Sequence, residues 1–238
     1  MLGTIINTIT VLIGGTLGLF LGHRFPRRMQ ETILASLGLF TLVIGVASAL
    51  ETGNPLIVLC SLLVGALIGE ALLIETQLEN FGGWLQRRFA SEGDSARFIE
   101  GFITASLVFC VGPLTIQGAI EDGLLGDPTK LIIKATLDGF AALAFASTLG
   151  SGVLASIIVI IVFQGGISLL AQLGAGVFTD AMVAELTATG GVVLLAISLR
   201  LLDLKQIRAA NLLPALFVAP TAVYIMDLFG IAYYVSGA

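Results

Sequence analysis

Residues 131–173 read LIIKATLDGFAALAFASTLGSGVLASIIVIIVFQGGISLLAQL. Lys134 and Asp138 are the only charged residues in this stretch of 43. A helix needs roughly 20 apolar residues to cross a hydrocarbon core about 30 Å thick. The stretch is therefore long enough for two transmembrane helices, and Gly150 and Gly152 allow a tight reversal between them.

The rest of the chain has the same composition. Of its 238 residues, 57% are hydrophobic and 11% are charged, with a mean hydropathy of +1.04, whereas soluble domains carry about 25% charged residues. Backbone groups in lipid must be hydrogen-bonded within the segment, which favours helices. We predict an all-α fold, a polytopic transmembrane helix bundle that forms a single integral membrane domain over residues 1–238. The eight predicted spans are 2–22, 32–50, 55–73, 101–119, 131–149, 152–173, 186–201 and 212–231.

Several classes of function are disfavoured by composition. The net charge is −5, and most charged residues lie in short segments between apolar runs, so no nucleic-acid partner is expected. The chain has one histidine, His23, and lacks the GxxxxGK[ST] and GxSxG motifs, so we expect no enzyme. Cys60 and Cys110 lie in apolar stretches and are predicted to be small buried side chains, with no metal site.

The distribution of lysine and arginine predicts the orientation in the membrane. Cytoplasmic loops of bacterial membrane proteins are enriched in these residues. The loops after the first, third and seventh predicted spans, with the adjoining helix end, hold nine of them: Arg24, Arg27, Arg28, Arg87, Arg88, Arg97, Arg200, Lys205 and Arg208. The loops on the opposite side hold only Lys130. The odd-numbered loops are therefore predicted to be cytoplasmic, with both termini outside.

The segment 74–100 is the one long polar connection. Leu78, Phe81, Leu85 and Phe89 recur at helical spacing, with Trp84 alongside. This pattern predicts a cytoplasmic amphipathic helix lying at the membrane interface, which would serve either as an anchor or as a docking surface for a partner.

A weak internal similarity suggests inverted three-helix repeats. Residues 34–50 align with residues 186–202, with Leu34, Gly38 and Leu42 matching Leu186, Gly190 and Leu194. The shift is five spans, so the two copies would have opposite orientations, as in many transporters.

Lys134 and Asp138 are four residues apart and therefore share one face of the fifth predicted span. An ionisable residue at the bilayer centre costs about 2.5 to 3.5 kcal/mol or more, so it needs a partner, water or a function. One interpretation is a self-neutralising pair packed between helices. The other is a carboxylate that binds a cation or a proton, with Lys134 as its counter-charge.

The fourth predicted span contains FCVGP over residues 109–113. A proline within a helix frees the carbonyl group four residues earlier, and glycine allows the chain to bend. We therefore predict a kink that either is structural or directs carbonyl oxygens at a cation. Gln117, Glu121 and Asp122 continue outward from it and are candidate ligands.

Further polar side chains lie in other spans. Asn7, Gln164 and Asn211 are candidate ligands, although each could instead form a hydrogen bond between helices. Glu185 precedes the seventh predicted span, where a carboxylate commonly stabilises a helix N-terminus, and it is a further candidate.

Five stretches resemble the YdfK/YqgA-like family of bacterial membrane proteins of unknown function. They are GTIINTITVLIGGTLGLFLG from residue 3, FCVGPLTIQGAIEDGLLGD from 109, KATLDGFAALAFASTLGSGV from 134, FTDAMVAELTATGG from 178 and IRAANLLPAL from 207. The resemblance covers nearly the whole chain. It implies a location in the bacterial inner membrane, and it places Asp138 and Glu185 within the family's motifs.

These features favour a secondary transporter that moves a small polar solute or ion and is coupled to a cation or proton through its intramembrane carboxylates. A passive channel and a non-catalytic scaffold or regulator are the alternatives. No cofactor is evident from the sequence. A bound monovalent cation is compatible with it. The expected partners are the lipid bilayer, the solute and a second copy of the chain in a homodimer.

Overall fold

The computed structural model describes residues 1–22, 24–89, 95–173 and 179–231, and its regular secondary structure within those ranges is entirely helical. His23, part of the segment 74–100 and the side chain of Phe89 lie outside the described residues. The α-helices are α1 (Leu2–Gly22), α2 (Arg27–Ala49), α3 (Pro55–Ala71), α4 (Ile74–Phe89), α5 (Ser95–Val111), α6 (Pro113–Leu124), α7 (Thr129–Leu149), α8 (Gly152–Leu173), α9 (Asp180–Leu201) and α10 (Ala215–Leu228), and a 3₁₀ helix (Ala209–Leu212) precedes α10.

Six helices in the described residues are each long and apolar enough to cross a membrane, with the 3₁₀ turn counted as part of the last. Two further pairs qualify when they are joined: α3 with α4, which are bent by 54°, and α5 with α6, which are bent by 58°. Counting each bent pair as one span gives eight, the number that hydropathy predicts.

The directions of packed helices support eight spans. Helix α1 runs parallel to α7, because Gly14 and Gly18 approach the carbonyl groups of Gly139 and Leu143 in the same order. Helix α2 runs antiparallel to α9, with Gly38 beside Leu202 and Ala49 beside Gly191. Because the chain reverses its direction at each span, α7 can be parallel to α1 only if an odd number of spans lies between them. Helix α2 is one of these spans, so the two bent pairs are either both spans or both not.

The path of α5 and α6 decides between these two possibilities. The backbone of Phe98, early in α5, lies against Gly152, and Gly123, late in α6, lies against Ser168. The bent pair therefore follows most of the length of α8, which is itself a span of 22 residues. This path favours eight spans, the upper end of the six to eight that helix length and composition allow.

The predicted kink in the fourth span is confirmed and is a complete break. Helix α5 ends at Val111, Gly112 is extended at φ −68° and ψ 151°, and α6 begins at Pro113. Proline at the first helical position lacks the N–H group that would have continued the hydrogen-bond ladder of α5. The two helices together cover Ser95–Leu124 apart from Gly112, so the predicted bounds 101–119 are too narrow.

The predicted start of the seventh span is also wrong. Helix α9 begins at Asp180, and the N-cap Thr179 accepts a hydrogen bond from the Met182 N–H group. Glu185 therefore lies inside α9 and does not precede it. The prediction failed because the Glu185 carboxylate lowers the local hydropathy. The free-energy cost of burying this carboxylate is offset by hydrogen bonds from residues distant in sequence.

Helix α4 is amphipathic, as predicted. Leu85 is buried, and Gly82 packs against Phe102 of α5, whereas Trp84 is about half exposed and stacks on Phe81. Arg87 lies in its last turn. This arrangement leaves an aromatic and basic surface facing away from the bundle.

Helices α5 and α9 form the centre of the bundle. Phe102, Phe109 and Ile103 of α5 are almost completely buried, as are Val193 and Ile197 of α9. Cys110 is buried, as predicted, but Cys60 is exposed on the outer surface of α3, which corrects its predicted burial.

The similar segments 34–50 and 186–202 lie against each other in the antiparallel α2–α9 pair. An inverted repeat would give this arrangement, but so would any antiparallel pair of helices. The inverted repeats are not confirmed and stay a prediction.

Candidate functional site

Three helices meet in a buried network of polar side chains. Asn7 of α1 donates hydrogen bonds from Nδ2 to Asp138 Oδ2 of α7 and to Gln164 Oε1 of α8, each at 3.0 Å. Gln164 in turn donates to Thr4 Oγ1 at 3.2 Å. The structure therefore unites three of the predicted site residues and adds Thr4, a residue that the sequence pattern did not indicate.

Lys134 and Asp138 form the predicted ion pair along α7. The ammonium group contacts Asp138 Oδ2, and the two residues are 4% and 7% exposed. Their opposite charges offset much of the cost of removing each from water, because the pair is neutral overall. Either residue alone would be an uncompensated charge at hydrocarbon depth.

The two oxygens of the Asp138 carboxylate differ in their surroundings. Lys134 and Asn7 both bind Oδ2, and Oδ1 forms no hydrogen bond with the described residues. Asn7 Oδ1 is likewise buried without a hydrogen-bond partner in the described part of the chain. The cluster thus retains capacity to accept hydrogen bonds or to bind a small cation.

A cavity of about 140 Å³ lies beside the ion pair, at the break between α5 and α6. Lys134, Asp138, Thr41 and Thr115 line it together with Gly112, and most of the remaining lining side chains are apolar. The charged pair is therefore not sealed on all sides by packed helices. This void at the site of two buried charges is the main geometric support for a binding function.

The carbonyl oxygen freed by Pro113 binds a side chain of the protein. Thr115 Oγ1 donates a hydrogen bond of 3.0 Å to the Phe109 carbonyl group. One acceptor site of that oxygen is occupied by protein, so a carbonyl directed at a cation is not observed. The N-terminus of α6, in contrast, has no side-chain cap, because Gly112 occupies the N-cap position.

Three predicted ligands lie elsewhere, near the outer end of α6. Glu121 forms an ion pair of 2.6 Å with Lys130, whose ammonium group also lies 3.4 Å from Gln117. Asp122 lies 2.8 Å from the amino group of Met1. None of these three carboxylate or amide groups lines the cavity beside Asp138.

Glu185 is completely buried and binds the loop between α2 and α3. It accepts hydrogen bonds from the Thr52 hydroxyl group and the N–H groups of Gly53 and Asn54, at 2.7, 2.8 and 3.0 Å. Its negative charge is therefore compensated by donors of this turn, and it caps no part of its own helix. The predicted capping role is replaced by this contact, and the predicted ligand role stays a prediction.

Asn211 belongs to a second polar cluster at the opposite face. Its Oδ1 accepts a 2.7 Å hydrogen bond from the Glu75 N–H group, and Glu75 binds Arg200 and the Ala210 N–H group at 2.7 and 2.9 Å. The sequence analysis missed Glu75 and Arg200 because both lie at helix ends, where charged residues are ordinary. Their separation of 125 positions gives no local signal.

Another cavity of the described structure, of about 810 Å³, is apolar. It lies between α8, α9 and α10, and Thr221 and Tyr224 are its only lining residues with polar side chains. A polar solute would gain little from such a lining. The smaller cavity beside Asp138 is therefore the better candidate site.

Comparisons with known proteins agree with this description of a membrane protein. Residues 2–224 match the family described as "Protein of unknown function (DUF554)". The chain is 28% identical to the uncharacterized membrane protein YdfK of Bacillus subtilis (strain 168) over 237 residues, which cover 98% of this chain and 100% of the relative. It is 35% identical to the uncharacterized protein YqgA of Escherichia coli (strain K12) over 223 residues, which cover 92% and 94%. No solved structure matches.

Proposed function

The chain belongs to the DUF554 family of proteins of unknown function, and we propose that it is a secondary transporter that moves a small polar solute or ion across the membrane. Asp138 binds the coupling proton or monovalent cation. The observation that carries the proposal is that a buried Lys134–Asp138 pair lines a cavity at the break of a transmembrane helix. A purely structural pair would be expected to pack against neighbouring side chains with no void beside it.

Each polar residue of the cluster has a role in this proposal. Lys134 is the internal counter-charge, which neutralises Asp138 while no coupling ion is bound. Asn7 fixes the position of the carboxylate through its hydrogen bond, and Gln164 holds Asn7 in place; both residues lie on helices other than α7. Binding and release then change the charge of one group whose geometry is held constant.

The proposed location is the bacterial inner membrane, with both termini outside. The basic residues support this orientation. Arg97 binds the Thr148 carbonyl group and Gln30, and Arg200 and Arg208 pair with Glu75 and Glu70. Each of these contacts lies at the same end of the bundle, where the positive-inside rule places the cytoplasm. The proposal includes a homodimer.

Transport can be tested in proteoliposomes that contain a pH-sensitive dye. External pulses of sodium, potassium and lithium salts of several small anions would be applied with and without a pH gradient. We expect at least one salt to change the internal pH, and we expect Asp138→Asn to abolish that change. Glu121→Gln is the matched control, because Glu121 also pairs with a lysine but does not line the cavity.

Two results would contradict this proposal. One is a pH response of Asp138→Asn equal to that of the parent protein, because the coupling would then use another group. The other is a rapid flux that follows the electrical gradient and carries no protons or cations in fixed ratio, which would indicate a channel.

A further inference from the structure

The charges around the cavity indicate which kind of solute it accepts. Two positive features face it: the Lys134 ammonium group and the uncapped N-terminus of α6, at Gly112 and Leu114. The N-terminus of a helix carries about half a positive charge and free N–H donors, and it commonly binds anions. In α6, Pro113 has no N–H group and the Thr115 N–H group bonds the Gly112 carbonyl group at 3.0 Å, which leaves the Leu114 N–H group as the donor. In lipid, no bulk water is available to satisfy it.

An unpartnered hydroxyl group supplies an independent observation. Thr41 of α2 lines the same cavity, is 5% exposed and forms no side-chain hydrogen bond with the described residues. The hydroxyl oxygen is not sealed off by protein atoms, so a ligand in the cavity could form a hydrogen bond with it. Thr41 therefore marks the cavity as a place where a polar atom is expected to bind.

We propose that this cavity binds a small monovalent anion with a short apolar tail, such as a short-chain monocarboxylate, together with a proton on Asp138. The inference rests on the proposed transport function and names its substrate class. The carboxylate group of the ligand would accept hydrogen bonds from Lys134 and from the first turn of α6. Its tail would contact the apolar side chains that line the rest of the cavity, among them Phe40, Ile44 and Leu194.

Charge balance explains why the proton accompanies the anion. In the empty site, Lys134 and Asp138 sum to zero charge. If the anion bound while Asp138 remained ionised, the buried site would carry a net negative charge, which is costly in a medium of low dielectric constant. Protonation of Asp138 restores neutrality, with the ammonium group of Lys134 now facing the anion. Both the empty and the loaded site are then neutral, and the proton leaves with the anion on the other side.

Volume and charge favour a small anion over the main alternatives. An engineered protein cavity of about 150 Å³ holds one benzene molecule, so this cavity of similar volume, which is open on one side, surrounds about six non-hydrogen atoms of a ligand. Sugars and most amino acids would extend beyond it. A cation could bind Asp138, but it would meet the positive end of the α6 dipole and the Lys134 ammonium group.

The groups that face Asp138 determine how anion binding depends on pH. Lys134 lies on the same helix, and the buried thiol of Cys110 on α5 is close enough to interact electrostatically with both charges. Helices α1 and α8 contribute the amides Asn7 and Gln164. Helix α2 contributes Thr41, a non-titratable side chain, and Glu185 of α9 is bound to the loop before α3.

The proposal can be tested by thermal unfolding of the purified protein in sodium formate, acetate, propionate or butyrate. Sodium chloride and methylammonium chloride at equal ionic strength are the comparison salts. A ligand that binds the folded state raises the melting temperature by mass action. We expect a monocarboxylate to stabilise the protein more than chloride does, and more strongly at pH 6 than at pH 8.

Three variants make the test specific. Asp138→Asn removes the negative charge that opposes the anion, so at pH 8 it should bind the monocarboxylate at least about tenfold more tightly than the parent does. Lys134→Met combined with Asp138→Asn keeps the site neutral and avoids an unpaired buried charge, and it should lose anion binding by at least about tenfold. Thr41→Val should weaken binding with little effect on the unliganded protein.

The outcomes separate this inference from the proposed function. Stabilisation by methylammonium and not by the monocarboxylates would overturn the inference, and so would anion binding that survives in the double variant. If proton-coupled flux is observed with cations as the solute, transport stands and the anion assignment fails. If a monocarboxylate binds as described but enters proteoliposomes no faster than vesicles without the protein, the anion site stands and the transport function fails.

Discussion

The side-chain amide of Asn7 lies 3.0 Å from the carboxylate of Asp138, although 131 residues separate them in the sequence. The same amide group binds Gln164, so one asparagine joins three transmembrane helices. The ion pair of Asp138 with Lys134 lies at the same point, so the proposed functional site is also the place where polar contacts join α1, α7 and α8.

Replacing Asn7 by alanine should destabilise the protein. The change removes two hydrogen bonds and leaves the Asp138 carboxylate with Lys134 as its remaining partner. Hydrogen bonds between transmembrane helices contribute about 0.6 to 2 kcal/mol. We therefore expect a fall of several degrees in the melting temperature. It would be measured in detergent with a fluorescent dye that does not react with thiols. Thr16→Ala, at an exposed hydroxyl group bonded within α1, is the control and should change the melting temperature by no more than about a degree.

Gly14 should tolerate no side chain. A Cβ atom there would lie 2.1 Å from the Gly139 carbonyl oxygen of α7, which is far inside van der Waals contact. Gly14→Ala should cost about 1 to 3 kcal/mol, because two backbones must separate. Gly166→Ala is the matched control, since nothing lies within 4 Å of its Cβ position, and alanine favours a helix. Equal stability of the two variants in chemical unfolding would show that the α1–α7 contact is wrong.

Glu185→Gln tests the contact between α9 and the loop before α3. Glutamine at this position can accept hydrogen bonds through only one oxygen, and its NH₂ group would face the N–H groups of Gly53 or Asn54. We expect a loss of about 1 to 3 kcal/mol in unfolding experiments. Asp180→Asn, at an exposed carboxylate in the first turn of the same helix, should lose about 0.5 kcal/mol or less.

Single cysteines can test the orientation. In a background with Cys60 and Cys110 replaced by alanine, Glu51→Cys should react with a membrane-impermeant maleimide on intact cells. Lys205→Cys should react only after the membrane is permeabilised. Both positions are exposed loop residues, so a difference in labelling reports their side of the membrane. The reverse pattern would place the termini in the cytoplasm.

Hydropathy and local spacing predicted the number of spans, the break near Gly112 and the Lys134–Asp138 pair. Each of these depends on residues that are neighbours along one helix. The position of Asn7 beside Asp138 could not be predicted in this way, because it depends on how α1 packs against α7. Glycine positions determine that packing, and a glycine pattern does not identify the helix that it contacts.

Glu185 illustrates a second limit. A carboxylate within an apolar stretch resembles a ligand whether it binds a solute or a backbone turn. The two cases differ in whether donors from a distant loop reach it, as the N–H groups of Gly53 and Asn54 do here. Glu75 was missed for the opposite reason. A carboxylate at the start of a polar helix is common and does not predict a buried contact.

The contacts of Glu185 and Glu75 have a mechanical consequence. Glu185 joins α9 to the turn before α3 through hydrogen bonds at one end of the bundle. Glu75 joins the junction of α3 and α4 to Arg200 of α9 at the other end. Peeling α2 or α3 away from α9 would expose one of these carboxylates to hydrocarbon. Under the proposed transport function, alternating exposure of the cavity would have the α2–α3 hairpin and α9 move as one rigid body against α5, α6 and α7, with Thr41 and Thr115 on opposite sides of the moving interface.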